Sequence, residues 1–193
     1  MNKAIELYTS SANQGNADAQ FNLAICYENG NGVEKDMNKA IELLTLSANQ
    51  GNASAQNNLA ICYEDGNGVE KDMNKAIELL TLSADQGHAS AQNNLADCYL
   101  NGNGVEIDMN KAIELLTLSA NQGYATAQCN LAVCYKNGNG VEKDMNKVIE
   151  LYTLGANQGY SKAQYNLAYC YENGNGVEKD MNKAIELYTL SEL

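Results

Sequence analysis

Six cysteines and a single histidine, His88, are the residues of this chain with the widest chemical reach. Thiols and imidazoles serve as metal ligands, disulfide partners or nucleophiles, and each role demands its own spacing. Five of the thiols, Cys26, Cys62, Cys98, Cys134 and Cys170, recur every 36 residues, and Cys129 stands apart. A structural zinc site needs about four Cys or His ligands, with two of them close in sequence. The chain has no C-x-x-C pair and one histidine. Thiols repeated once per unit of a stacked array lie about 10 Å apart. That exceeds the ~7 Å limit on Cα separation for a disulfide. Cys129 and Cys134 are five residues apart on one helix and point to different sides. The expectation is six reduced, small, core-edge residues. His88 has no thiol or serine motif beside it to activate and is expected to be a surface residue. The Gly-Asn-Gly loops lack the lysine–serine signature of a phosphate cradle, and Asn52-Ala53-Ser54 fits a glycosylation sequon that matters only on secretion. The expectation is no catalytic residue, no metal site and no cofactor.

Two other sets of residues carry recognition chemistry instead. Asn22, Asn58, Asn94, Asn130 and Asn166 form an unvarying row. Each amide offers donors and an acceptor. Such a ladder would bind the backbone of an extended peptide, or make a structural hydrogen bond to a neighbouring loop carbonyl. Beside it four positions vary from repeat to repeat. They read Asp18, Phe21, Ile25 and Glu28, then Ser54, Asn57, Ile61 and Glu64, then Ser90, Asn93, Asp97 and Leu100. The last two sets are Thr126, Cys129, Val133 and Lys136, and Lys162, Tyr165, Tyr169 and Glu172. Their 3, 4, 3 spacing places them within about 80° of arc at about 100° per residue. This arc is opposite Leu23 and Tyr27. The stripe is a candidate partner-binding groove rich in aromatic and apolar anchors. Partial burial against the next repeat, with neutral drift, is the other reading.

Both sets need helices held in register, and the repeat supplies them. Met37-Asn38-Lys39-Ala40-Ile41-Glu42-Leu43 returns at Met73, Met109, Met145 and Met181, each 36 residues on, with Val148 in place of alanine in the fourth copy. Glycine rows at Gly30 and at Gly51 keep the same register. Such a period marks a stacked array in which each unit buries its apolar face against its neighbours. The first helix of a unit, helix A, is predicted over about Ala17–Glu28 and ends at Asn29-Gly30. A Gly-Asn-Gly-Val loop follows, with Val33 tucked inward. Asp36 is predicted to cap helix B, which covers about Met37–Asn49. Ala40, Leu43, Leu44, Ser47 and Ala48 form its packed face, and Glu42, Thr45 and Asn49 its wet face. Gly51 closes it.

The chain thus reads as an all-α, right-handed α/α superhelical solenoid of eleven helices, with residues 1–193 forming a single repeat domain. Residues 1–16 are an orphan helix B. Full repeats cover 17–52, 53–88, 89–124, 125–160, and a slightly truncated one covers 161–193. Stacked helices A would line the concave side. Met1 holds the place of Met37 and its equivalents, so the start is expected to be a cut inside a longer array.

The run Ala55-Gln56-Asn57-Asn58-Leu59-Ala60-Ile61-Cys62-Tyr63-Glu64-Asp65-Gly66-Asn67-Gly68-Val69 resembles the first half of a Sel-one-like repeat. Asp72, Lys75-Ala76, Leu79, Ala84 and Gly87 resemble its second half. This family is a branch of the tetratricopeptide-like helical repeats, and the resemblance covers essentially the whole chain. The family often has glycine at the place of Ala24, an aromatic at those of Leu44, Leu80 and Leu116 (kept by Tyr152 and Tyr188), and lysine at that of Leu46. The resemblance implies an adaptor that holds protein complexes together. Cysteine-rich secreted relatives linked to β-lactam binding carry paired cysteines in each repeat, which this chain lacks.

Composition narrows the partner. Net charge is −12, with 24 acidic residues, and no arginine occurs. Nucleic-acid phosphates call for clustered cations, so no nucleic acid is expected. No apolar run approaches the ~20 residues of a membrane span, and no signal peptide is visible. A cytoplasmic scaffold that binds a protein or extended peptide is expected, and not an enzyme. Structural self-association through apolar ends, giving a homo-oligomer, is the alternative.

Overall fold

Absence of proline and regular placement of glycine leave two helical segments per repeat, each too short to stand alone. The computed structural model describes residues 3–192, so Met1, Asn2 and Leu193, with the expectation about the start, lie outside it. Among the described residues are eleven helices and no strand. Helices B are α1 (Lys3–Asn13), α3 (Met37–Asn49), α5 (Met73–Asp85), α7 (Met109–Asn121), α9 (Met145–Asn157) and α11 (Met181–Ser191). Helices A are α2 (Ala17–Asn29), α4 (Ala53–Asp65), α6 (Ala89–Asn101), α8 (Ala125–Asn137) and α10 (Ser161–Asn173).

The helix ends follow from local chemistry. Asp36 sits in extended conformation, and its carboxylate accepts from the Lys39 N–H at 3.1 Å. Asp72, Asp108, Asp144 and Asp180 do the same in their repeats. Loss of such a cap costs about 1 kcal/mol. Helix A runs one residue past the predicted end, to Asn29, where Gly30 takes φ 72° and its N–H closes onto the Cys26 carbonyl. This left-handed conformation suits glycine.

The described residues group into two compact units, those up to Ala91 with Asn103–Val105, and Gln92–Gly102 with those from Glu106 on. In the first, Ala24, Leu44, Ala48, Ala55, Leu59 and Cys62 form one core cluster, and Ile5, Ala12, Ala19 and Leu23 another, against which Val33 packs. In the second, Tyr152 is fully enclosed among Cys129, Val148, Leu167 and Cys170. A second cluster there centres on Leu116 and Leu131. Within each unit consecutive helices pack, as in α2 on α3, α3 on α4, α8 on α9 and α9 on α10.

Several polar groups inside these contacts are paired. The Ser47 hydroxyl donates to the Ala17 carbonyl at 2.7 Å, and Ser83 to that of Ala53. Buried Gln56 donates to the Ala48 carbonyl and accepts from Gln86 at 2.7 Å. Gln128 repeats this with Ala120 and Gln158. Gln164 donates to Ala156, while its Oε1 has no partner among the described residues. Leu43 and Thr45 are both half-buried, so the edges of helix B's packed and wet faces are less sharp than its periodicity suggests.

Candidate functional site

The variable stripe and the asparagine row lie on helix A, and the structure divides them into distinct environments. Ile25, Leu100, Val133 and Lys136 are half-buried, while Ile61, Asp97, Tyr165 and Tyr169 are exposed. Tyr165 and Tyr169 are 55% and 42% accessible, which makes them the most open aromatic residues of the stripe. The earlier members of the row that ends at Tyr165 behave differently. Phe21 packs against the Ala24–Leu44 cluster. Asn57, Asn93 and Cys129 are 4%, 6% and 0% accessible. Asn57 and Asn93 therefore do not line an open groove. They sit in the seam between helices, whereas Tyr165, the last member of the same row, stays open.

The asparagine row faces that seam. Asn130 Nδ2 donates to Asn93 Oδ1 at 3.0 Å, and Asn166 Nδ2 to Cys129 Sγ at 3.6 Å. Asn58 and Asn94 accept from Asn57 and Asn93 of their own helices. Asn22 is half-buried like the rest. For Asn130 and Asn166 the partner is thus a side chain on the preceding helix A.

In the second unit the stripe gathers into a small aromatic and charged cluster. The Lys136 ammonium lies 5.3 Å from the centroid of the Tyr169 ring, within cation–π range. Tyr165 meets Tyr188 of α11 edge-on, 5.3 Å between centroids. The Tyr188 hydroxyl donates to Glu172 at 2.8 Å. Desolvation, helped by that hydrogen bond and the adjacent carboxylate, pushes Tyr188 up to about 12. Elsewhere lysines lie over tyrosines one helix back: Lys39 over Tyr27, Lys75 over Tyr63, Lys111 over Tyr99, Lys147 over Tyr135 and Lys183 over Tyr171. This 12-residue Tyr–Lys recurrence was available in the sequence and marks where helices A and B clasp.

All six thiols are free, and all but Cys26 are buried. Burial, with Glu28 and Asp65 nearby, pushes Cys62 up to about 11. Burial likewise raises Cys129, Cys134 and Cys170. A thiol held protonated is a poor nucleophile. Among the described residues no group of three or more His, Cys, Asp or Glu is placed to hold a metal. No helix there is long and apolar enough to cross a membrane.

His88 is more than a surface residue. It holds the place of Asn16 and Asn52, whose side chains cap α2 and α4. Its Nδ1 accepts from the Ala91 N–H at 3.3 Å, and its Nε2 lies 3.4 Å from the Ser54 hydroxyl. The neutral Nε2–H tautomer satisfies both contacts, and burial lowers the pKa. The signal was present in the repeat alignment, since the equivalent residues in the first two repeats are asparagines.

Comparison with known proteins follows the same repeat. The Sel1 repeat pattern matches residues 1–16, 17–52, 53–88, 89–124, 125–160 and 161–191. A Sel1 repeat protein of Oxalobacter formigenes is similar over 98% of this chain and 80% of its own, with 32% identity and a TM-score of 0.88. A protective antigen of uropathogenic Escherichia coli strains, displaying an SLR fold, is 32% identical with a TM-score of 0.86. The likeness covers 97% of this chain, which spans 40% of that antigen's length. An immunity protein of Pseudomonas aeruginosa, 22% identical with a TM-score of 0.67 over 97% of this chain and 72% of its own, shares the fold. No curated protein matches the chain.

Proposed function

The chain belongs to the Sel1 repeat family, whose repeats are scaffolds that generally mediate protein–protein interaction, and from this premise we propose that it is a protein- or peptide-binding adaptor. The binding face is the open part of the helix A stripe. One observation carries the reading: among the helix A positions that vary between otherwise near-identical repeats, Ile61, Asp97, Tyr165 and Tyr169 are exposed. Variation in side-chain chemistry on a constant frame gives each unit its own contact set. Aromatic anchors suit this role because they bury much area with little loss of rotamer freedom. Seam residues Asn57, Asn93 and the asparagine row set the spacing of the stripe and leave contact to its open neighbours. The partner we infer is a protein or extended peptide, met in the cytoplasm, with no nucleic acid, cofactor or catalytic step involved.

Charged residues at Ile61, Val133 and Tyr169 should abolish capture of the native partner in a pull-down while circular dichroism stays unchanged. Retained capture would place the binding face elsewhere. Self-association is favoured by a separate observation. Leu7 of α1 and Ile185 of α11 are about 60% accessible, high for such apolar side chains. Light scattering that reports a monomer at high concentration removes that second reading.

A further inference from the structure

Each helix B after the first carries one leucine on its outer face. Leu46 and Leu82 in the first unit, and Leu118, Leu154 and Leu190 in the second, are all 42–46% accessible. The equivalent residue of α1 is Ser10. One turn before each leucine on the same helix stands an exposed carboxylate: Glu42, Glu78, Glu114, Glu150 and Glu186. The i, i+4 spacing puts the acid and the leucine on one face.

In the first unit this face opens onto a groove of about 450 Å³ between α1 and α3. Leu23 of α2 lies at its base, Leu43, Leu46 and Glu42 stand on one side, and Thr9 and Ala12 on the other. The buried polar side chain there, Gln20, is already bonded to the Ala12 carbonyl and to Gln50. Lys39 lies 5.1 Å from the Tyr27 ring and 3.6 Å from Asp36, at the start of α3 and away from Leu46. The α3 side of the groove therefore combines a leucine ridge with a carboxylate, and its cation sits at one end.

We propose that the outer face of helices B is a second interaction surface, separate from helix A, which takes an amphipathic helix of a partner protein whose apolar stripe is flanked by lysine or arginine. Charge complementarity selects this occupant. The chain has 24 acidic against 12 basic residues, and the acid row runs beside the leucines. A second copy would set identical glutamate rows against each other, an arrangement that like-charge repulsion opposes. A groove bounded by 11- and 13-residue helices is about 16–20 Å long at ~1.5 Å per residue, matching roughly three turns of a guest helix lying in it.

The test uses the full chain and a labelled synthetic helix with leucines at i, i+3, i+4 and i+7 and lysines on either side, read by fluorescence anisotropy. A peptide with glutamates in place of the lysines is the control. Wild-type protein should bind the lysine peptide and not the glutamate one. The variant Leu46→Gln should weaken binding by about tenfold or more, and Glu42→Gln several-fold. Glu34→Gln/Glu70→Gln, which alters exposed loop acids, should leave binding unchanged. These substitutions are at exposed or loop positions, and unchanged circular dichroism will show that the variants remain folded. The proposal is overturned if Leu46→Gln makes no difference, or if the loop pair weakens binding as much as Glu42→Gln does. It is equally overturned if sedimentation shows a wild-type dimer that the leucine variant dissociates, which would make a second copy the occupant.

Discussion

At the scale of single residues, His88 shows how one substitution in a repeat changes the physics of a cap. Asn16 and Asn52 offer an amide oxygen that does not titrate, whereas His88 accepts through Nδ1 only while neutral. Its folded pKa lies below the ordinary 6.5 because burial disfavours the charged ring. On acidification the unfolded chain therefore takes up the proton first. The contribution is fully present above pH 6.5 and is lost as the pH falls toward the lower, folded-state pKa. Thermal unfolding at pH 7.5 and pH 5.5 should show a larger fall in Tm for wild type than for His88→Asn, which keeps an acceptor but not the titration. Equal falls would mean that the Ala91 contact adds nothing. The repeat alignment shows that His88 occupies a cap position. The Ser54 contact that fixes its tautomer joins residues 34 apart in the chain and is invisible in sequence.

At the scale of elements, the loop between helices A and B contains two glycines with different duties. Gly138 ends α8. Gly140 instead presses against helix B of the preceding repeat, where an added Cβ would lie 2.9 Å from the Met109 Cβ and its carbonyl oxygen. Gly123 also has positive φ, but a Cβ there meets nothing within 4 Å. Gly123→Ala should thus cost only backbone strain, about 1–2 kcal/mol. Gly140→Ala adds a collision with backbone and should cost about 3 kcal/mol or more. Urea denaturation of the two variants measures the difference, and equal losses would show that the loop yields freely. Turn chemistry alone predicts two equivalent glycines. Only the stacking of repeats makes the second one indispensable.

At the scale of the whole molecule, charge is the dominant global property. A net charge of −12 spread over every repeat repels itself in the folded state. The ion pairs Lys39–Asp36 at 3.6 Å and Lys75–Asp72 at 3.8 Å are short-range and exposed, and such pairs are worth little. Raising salt from about 0.01 M to about 0.1 M shortens the screening length from about 30 Å to about 10 Å. Tm should rise, by about 2–4 °C if roughly 1 kcal/mol of repulsion is relieved. A fall would mean that local pairs outweigh the global field. The same acidity favours a basic partner at either proposed surface, and binding should weaken with salt while the fold gains.

Sequence by itself determined the period of 36, the alternation of two helices, the aspartate caps and the glycine stops. Each is local: a carboxylate reaches three residues on, a glycine relaxes its own φ, and apolar spacing names a face of its own helix. It also identified the stripe of helix A by its variation. Tertiary structure decided what each edge of that stripe meets. Asn57 and Asn93 are only four residues before Ile61 and Asp97, yet the first pair is buried and the second exposed. Helical periodicity fixes angle about one axis. Burial depends also on the distance and rotation of neighbouring elements, which are set by the packing of alanine, leucine and cysteine between repeats. The same reason hid the exposed leucines of helix B within an apolar pattern that, read along one helix, assigns no outside.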